Sequence, residues 1–297
     1  MNDIIYVRGS VSVVIPCFNA SKYIYETIQS VLNQTYRIEK ILVINDGSSD
    51  ESLDILKKFG DKIIVLHHEN GENKGQALSL NLGLQHVDSE FVAFLDADDV
   101  WDENKLACQI DSLNKNPDCL LCYTNGHVID EQGRPIYSIF PAGFEEHNRV
   151  GDILLDCYIR TPSMVMVRRS LFDKVGYFSE SFSAPDHDMW IRASEVGKFY
   201  YLDRDLAGYR QHPGQLSVTS SRKMWENGFT ILERATERFP YSQSLCRKRR
   251  AVLSFRIANC DLRERKYASA MVNFVNALLG DPFRVLRVIN SYCNRHI

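Results

Sequence analysis

Phe91-Val92-Ala93-Phe94-Leu95-Asp96-Ala97-Asp98-Asp99 is an apolar run of five residues that finishes in three carboxylates within four positions. A buried strand ending this way gathers negative charge where the backbone leaves a sheet. Left bare, those charges repel one another and destabilise the fold. A divalent cation relieves the repulsion, because hard oxygen ligands suit Mg²⁺ or Mn²⁺. Such an ion commonly keeps open positions for substrate phosphates, so the stretch points to an enzyme acting on a nucleotide diphosphate. A calcium loop is the competing reading. It needs Gly at the sixth position from Asp96 and Glu at the twelfth, where this chain has Trp101 and Ala107.

Outward from this run, strand and helix signals alternate. Val11–Ile15 reads as a short buried strand stopped by Pro16. Ile24, Ile28, Val31 and Leu32 share a helical face, and Ile41–Ile44 is a second strand. Ser48 and Glu51 have the spacing of a capping box ahead of a helix carrying Leu53, Leu56 and Phe59. Lys62–Leu66 is a third strand. Residues 75–87 fit either a strand or a helix, and their length between two strands favours helix. A helix from Asp102 and a strand over Cys119–Thr124 follow. This order implies a mostly parallel sheet covered on both faces, with ligands at the carboxyl ends of its strands.

Past residue 125 the pattern loosens. Glu131–Arg134 is a turn, 136–150 has no clear period, and Ser163–Val167 and 186–196 read as a strand and a helix. Beyond Arg222 the chain is almost wholly helical, which sets domains of 1–221 and 222–297. The tail, 222–297, carries fifteen Lys/Arg and six Asp/Glu, net +9, whereas 1–221 is net −12. Such asymmetry implies a partner for the tail. Its stripe Tyr267, Met271, Phe274, Val275 and Leu278 suits core packing or, with Arg247–Arg250, peripheral contact with anionic lipid; core packing is the expectation. A short helix with Phe283, Leu286 and Ile289 should follow Pro282.

The 297 residues are 44% hydrophobic and 25% charged, an ordinary globular balance. Eight cysteines lack framework spacing, and Cys119-Leu-Leu-Cys122 has no second pair to complete a zinc site. Buried thiols, a reducing compartment, no signal peptide and no membrane span are expected, hence a cytoplasmic protein or, at most, one peripheral on the cytoplasmic face of the membrane.

Taken in order, Val-Ile-Pro16-Cys17-Phe18-Asn19, Asn45-Asp46-Gly47-Ser48, Asn73-Lys74-Gly75, Asp96-Ala-Asp98-Asp99, Val175-Gly176-Tyr-Phe178, Asp186-His-Asp188-Met-Trp190 and Tyr209-Arg210-Gln-His212 resemble the family 2 glycosyltransferases. The resemblance covers roughly 10–215 and implies a GT-A (Rossmann-like) α/β fold: a mixed, mostly parallel sheet flanked by helices, here with a helical C-terminal extension. It further implies an inverting, metal-dependent transfer from a UDP-sugar to a saccharide or lipid-linked acceptor, in surface polysaccharide assembly, with Mn²⁺ or Mg²⁺ as cofactor. Nucleic acid is not an implied partner.

The resemblance also distributes roles. Pro16, Phe18 and Asn19 would contact the nucleotide, and Asp46 would accept the imide N–H of uracil. Gly75, at a helix start, would present amides to phosphate. Asp98 and His212 would hold the metal, and Asp96 the ribose or the metal through water. Asp186 would be the general base, with Asp188 its rival, and Arg210 would pair either with phosphate or with a neighbouring acid. Two positions depart from the family: Asn45 stands where a second Asp is common, and Pro185 where a Glu is. The latter leaves room for a catalytically degenerate nucleotide-sugar-binding subunit. A sugar-1-phosphate nucleotidyltransferase is disfavoured, because Pro16–Asn19 lacks a Gly-rich basic phosphate loop.

Overall fold

The computed structural model describes residues 7–145, 150–182, 185–215, 219 and 221–286. They divide into two compact units, one from Met1–Asn148 with Ile159–His212, the other from Arg149–Tyr158 with Pro213–Ile297.

In the first unit, four parallel strands form the half of the sheet nearest the acidic run: β1 (Val7–Cys17), β2 (Lys40–Asn45), β3 (Ile64–His67) and β4 (Ser89–Phe94). They lie in the order β3-β2-β1-β4. Val11, Val13, Val14 and Ile15 are all wholly buried, so β1 is covered on both faces, as its unbroken apolar run requires. The helices between these strands are α1 (Ile24–Leu32), α2 (Ser52–Lys57) and α3 (Gln76–Gln85). α3 settles the ambiguous 75–87 segment as helix. It lies so close to the sheet that a Cβ on Gly83 would meet Val14 Cγ1 at 2.5 Å.

Two local expectations give way. β1 continues through Pro16 to Cys17. The carbonyl of Val14 accepts from Leu95 N and that of Cys17 from Asp46 N, so Pro16 turns its missing N–H toward β4 just as that strand ends. The Ser48–Glu51 capping box does not form: Ser48 Oγ accepts from Asn19 N, and Asp50 Oδ1 takes Ser52 N at the head of α2.

Beyond β4 come β5 (Val100–Trp101), α4 (Lys105–Lys115), β6 (Cys119–Ile129) and β7 (Pro135–Ser138). After α5 (Asp152–Leu155), which belongs to the second unit, come β8 (Val165–Arg168), α6 (Ser170–Val175), α7 (Pro185–Val196) and β9 (Lys198–Arg210). The sheet continues β4-β8-β6-β9-β5, with β7 hairpinned onto β6. β8 runs antiparallel to both β4 and β6, and β6 is parallel to β9. The result is a mixed sheet with parallel pairing in its first half. Cys119 and Cys122 are both buried in β6; three residues apart, they point to opposite faces, so they form neither a zinc pair nor a disulfide.

The second unit contains α8 (Ser221–Arg238), α9 (Gln243–Arg263) and α10 (Tyr267–Gly280). Asp261 ties them together, accepting from Arg222 on α8 and from Ser269 and Asn273 on α10. Arg249 is buried with Nη1 on the Leu155 carbonyl, and burial pulls its guanidinium down to about 10. The expectation that the C-terminal stripe enters the core is overturned. Only part of the stripe packs: α10 rests on Ala270 and Ala277 with Phe274 and Leu278 half-buried, the Phe274 ring 6.3 Å from that of Phe255 on α9, while Tyr267, Met271 and Val275 face solvent. Residues 282–286 are helical; Ile289 lies outside the described residues. No helix among the described residues is long and apolar enough to cross a membrane.

Candidate active site

The candidate site gathers at the carboxyl ends of β1, β2 and β4, where the apolar runs stop. β4 hands the chain to Asp96, Asp98 and Asp99, and the three carboxylates have different surroundings. Asp99 is wholly buried and accepts from Ser163 Oγ (2.6 Å), Thr161 Oγ1 (2.9 Å) and the amide of Arg210 (2.9 Å). Its carboxyl is driven well above the usual range, first by burial and then by the charges of Asp98 and Asp96. Asp96 accepts from Gln76 Nε2 at 3.1 Å, and its Oδ2 lies 2.9 Å from Thr161 Oγ1, whose single proton it shares with Asp99. Burial, then Asp98, push it up to about 7, and Asp186 adds to the rise. Thus Asp186 is close enough for its charge to be felt at Asp96. Asp98 is partly exposed, and its Oδ2 lies 2.9 Å from His212 Nε2.

That pair bears on the metal. Two donor atoms on adjacent vertices of an octahedron with bonds of ~2.1 Å stand about 3 Å apart. Asp98 and His212 have this spacing, and the surrounding carboxylates repel one another until a cation arrives, so the residues fit a divalent ion. Among the described residues, no group of three or more His, Cys, Asp or Glu side chains is arranged to enclose a metal. Two protein ligands with substrate phosphates completing the shell are the usual pattern for Mg²⁺-type sites.

Asp46, at the end of β2, is nearly inaccessible; its Oδ1 accepts from Lys74 N (2.7 Å) and its Oδ2 from Gly75 N (2.9 Å). Gly75 sits at φ +89°, a conformation open to glycine, and begins α3. The amides expected to face phosphate are therefore directed at Asp46. His68 Nε2 lies 3.5 Å from the same carboxylate and 3.1 Å from Ser79 Oγ. Gln76, next along, reaches Asp96, so the 73–76 loop links the ends of β2 and β4.

In the first loop, Phe18 is half exposed and Pro16 partly so. Asn19 adopts φ +48°, and its Oδ1 accepts from Ser49 N at 2.8 Å, bracing this loop against 48–50. Asp186 begins α7 directly after Pro185, is half-buried, and has its carboxyl raised by burial. Asp188 cannot rival it: the carboxylate is buried against Arg192 Nε at 2.8 Å, and Arg192 holds the carbonyls of Val175 and Tyr177.

Arg210 resolves its two alternatives toward the acid. Its side chain is wholly buried, with Nε on the Asp98 carbonyl, Nη1 on the carbonyls of Asp130 and Glu131, and Nη2 on Glu26. It braces the acidic loop from behind, each of its side-chain nitrogens engaged by a protein oxygen. The Tyr23 ring contacts both the Arg210 guanidinium (5.0 Å) and the His212 imidazole (4.9 Å). Thr161, Ser163 and Lys105 are the residues that sequence reasoning missed. Lys105, at the start of α4, is wholly buried; its Nζ lies 4.1 Å over the Trp101 ring and 2.6 Å from Gln109 Oε1. Gln109 in turn donates to the Cys122 and Met164 carbonyls, and Trp101 Nε1 to the Ser163 carbonyl.

A mixed sheet with an acidic strand end and a parallel nucleotide-binding half is the GT-A architecture. Residues 12–176 match the family described as glycosyl transferase family 2. The chain is 32% identical over 227 residues to an uncharacterised glycosyltransferase of Rickettsia prowazekii, covering 73% of this chain and 68% of that protein. It is 34% identical to the putative teichuronic acid biosynthesis glycosyltransferase TuaG of Bacillus subtilis, over 72% of this chain and 85% of that one. It is 28% identical to UDP-Glc:alpha-D-GlcNAc-diphosphoundecaprenol beta-1,3-glucosyltransferase WfaP of Escherichia coli, over 72% and 82%. Among solved structures, S. aureus TarS 1-349 with UDP-GlcNAc superposes with TM-score 0.61 at 17% identity, covering 92% of this chain and 90% of that one. The mannosyltransferase PcManGT of Pyrobaculum calidifontis with GDP-Man and Mn²⁺ gives 0.60 at 15%, over 96% and 79%. This chain belongs to glycosyl transferase family 2 and is a glycosyltransferase of GT-A fold.

Proposed function

We propose that the protein transfers a sugar from a UDP-sugar, with inversion and with a divalent cation, to a saccharide or lipid-linked acceptor in surface polysaccharide assembly. The observation that carries this reading is the Asp98–His212 pair at 2.9 Å beside two further carboxylates, Asp96 and Asp186. Relatives named for teichuronic acid biosynthesis and for a diphosphoundecaprenol acceptor support the biology, and the neighbour holding UDP-GlcNAc supports the donor. A lipid-linked acceptor would put the reaction at the cytoplasmic face of a membrane.

Asp98 and His212 would hold Mn²⁺ or Mg²⁺, which when bound neutralises charge developing on the departing diphosphate. Asp46 would accept the uracil imide through lone pairs its backbone partners leave free, and Asp96 would bind the ribose. Pro16, Phe18, Asn19 and Gly75 shape the nucleotide wall. Asp186, kept basic by burial, would take the proton from the acceptor hydroxyl as its oxygen attacks the anomeric carbon opposite the leaving diphosphate.

Thermal shift with UDP or GDP, with and without Mn²⁺, tests the site. The expected result is a UDP shift that needs the metal and disappears in Asp98→Ala and His212→Ala. Equal shifts with GDP, or indifference to Mn²⁺, would overturn it. Transfer from radiolabelled UDP-sugars separates the enzyme from a binding subunit: metal-dependent UDP binding with no turnover of any donor would favour the subunit.

A further inference from the structure

α10 is a fourteen-residue helix, Tyr267–Gly280, without a single charged side chain. Only its small residues Ala270 and Ala277 are buried. Phe274 and Leu278 are half-buried toward α9, and the other large residues face outward: Tyr267 is 66% exposed, Met271 64%, Val272 61% and Leu279 76%, and Phe283 just beyond is 81% exposed. At 100° per residue, Tyr267, Met271, Val275, Leu279 and Val272 span about 140° of one continuous arc. A monomeric soluble protein rarely leaves so much contiguous apolar helix in water unless something docks there.

Charge selects the occupant. From Gln243 to Leu286 there are nine Lys/Arg and three Asp/Glu, net +6. Of those acids, Asp261 is buried in its bonds to Arg222, Ser269 and Asn273, and Glu264 is paired with Arg222 and Lys266. Exposed cations stand at both ends of the apolar arc. Arg263, Arg265 and Lys266 precede it. Arg247, Lys248 and Arg250 lie on the stretch of α9 that receives its far end, since a Cβ on Gly280 would stand 2.7 Å from Ala251 Cβ and 3.3 Å from the Arg247 carbonyl. A second copy of the chain would have to bring two such basic rims together. An apolar protein partner would leave them unused. A surface that is apolar within and anionic at its border satisfies both features, and a bilayer of acidic lipids has that chemistry.

We propose that the outer face of α10, with Phe283, is a monotopic membrane-docking surface for anionic phospholipid, the rim arginines and lysines engaging headgroups while the arc enters the acyl boundary. This goes beyond the transferase reading and does not depend on which donor or acceptor is used.

Flotation of the full chain with vesicles of phosphatidylcholine alone or mixed with phosphatidylglycerol tests it. The expected result is binding to the anionic vesicles only, weakened by raised salt. Met271→Glu/Leu279→Glu, at exposed positions that should not disturb folding, is expected to weaken binding at least about tenfold. Lys248→Glu is expected to weaken it by at least about fivefold, from the loss of one headgroup attraction. UDP-dependent thermal shift should be unchanged in both variants, which separates failure at the membrane from failure of the donor site. Absence of anionic-vesicle binding by the native chain, or equal binding to neutral vesicles, would overturn the proposal. So would light scattering that shows a dimer which Met271→Glu/Leu279→Glu turns into a monomer.

Discussion

Lys105→Met probes the foundation beneath the acidic loop. The lysine is wholly buried, and among the described residues no carboxylate is paired with it; its partners are the Trp101 face and Gln109. Burial lowers its ammonium to about 7 in the folded protein, against ~10.4 in an unfolded chain. At this site the unfolded state therefore holds more protons from pH 7 to pH 10, and the lysine's contribution makes stability rise with pH across that window. Between pH 7 and pH 9 the gain integrates to about 2 kcal/mol, most of the two-unit span at ~1.4 kcal/mol per unit. Asp96 and Asp99, both raised by burial, oppose this rise while they keep protons that the unfolded chain has lost, and Cys17, raised by burial to about 12, opposes it from the ordinary thiol range near pH 9 upward, so the lysine's part is the difference between native chain and variant. Urea unfolding followed by tryptophan fluorescence at half-unit steps should show a pH slope more positive in the native chain than in the variant. Methionine matches the lysine stem in length and carries no charge, so the variant should lose the rise and be the more stable protein at pH 7. An equal pH slope in the native chain and in Lys105→Met would refute the reasoning.

Asp186→Asn should keep the metal-dependent UDP shift and lower transfer by about 10²–10⁴-fold. In the native enzyme, burial raises Asp186, so log kcat/KM should climb with pH through a value above the ordinary carboxylate range, a limb absent from the residual rate of the variant. Retained turnover in Asp186→Asn would reassign the base. Thr161→Val removes the hydroxyl shared by Asp96 and Asp99 at constant shape. At ~1.5 kcal/mol for a hydrogen bond to a charged group, donor KM should rise about tenfold with little change in kcat, and Thr161→Ser should restore it. Equal KM values in the valine and serine variants would deny the hydroxyl that role.

The parallel half of the sheet was legible because each strand is an unbroken apolar run closed by a polar motif, as Ile41–Ile44 is by Asn45-Asp46. The other half was not. β5 has two residues, and β7, Pro135–Ser138, is an edge hairpin with three exposed residues in a row, so neither carries a burial period. The direction of β8 depends on which neighbours it meets, which its own sequence does not encode. The capping box failed because a distant backbone amide, that of Asn19, claims Ser48 first. Periodicity found the apolar stripe of α10 but says nothing about which side of a helix its neighbours cover; the contact centres on two alanines and takes in only Phe274 and Leu278 of the stripe. Asp98 and His212 were visible as chemical types. Thr161 and Ser163 were not, since uncharged hydroxyls some sixty residues away have no pattern that ties them to an acid.

Arg210 answers to four clients at once: the Asp98 carbonyl, Glu26, and the carbonyls of Asp130 and Glu131. A hub of this kind makes sequence drift collective. Glu26 sits on the outer surface of α1, where single changes are ordinarily silent, yet losing it would strand a guanidinium in the interior and loosen the backbone that presents Asp98, the proposed metal ligand. Descendants of this chain should therefore retain or exchange positions 26 and 210 as a pair, and a lesion at 26 should mimic one at 98.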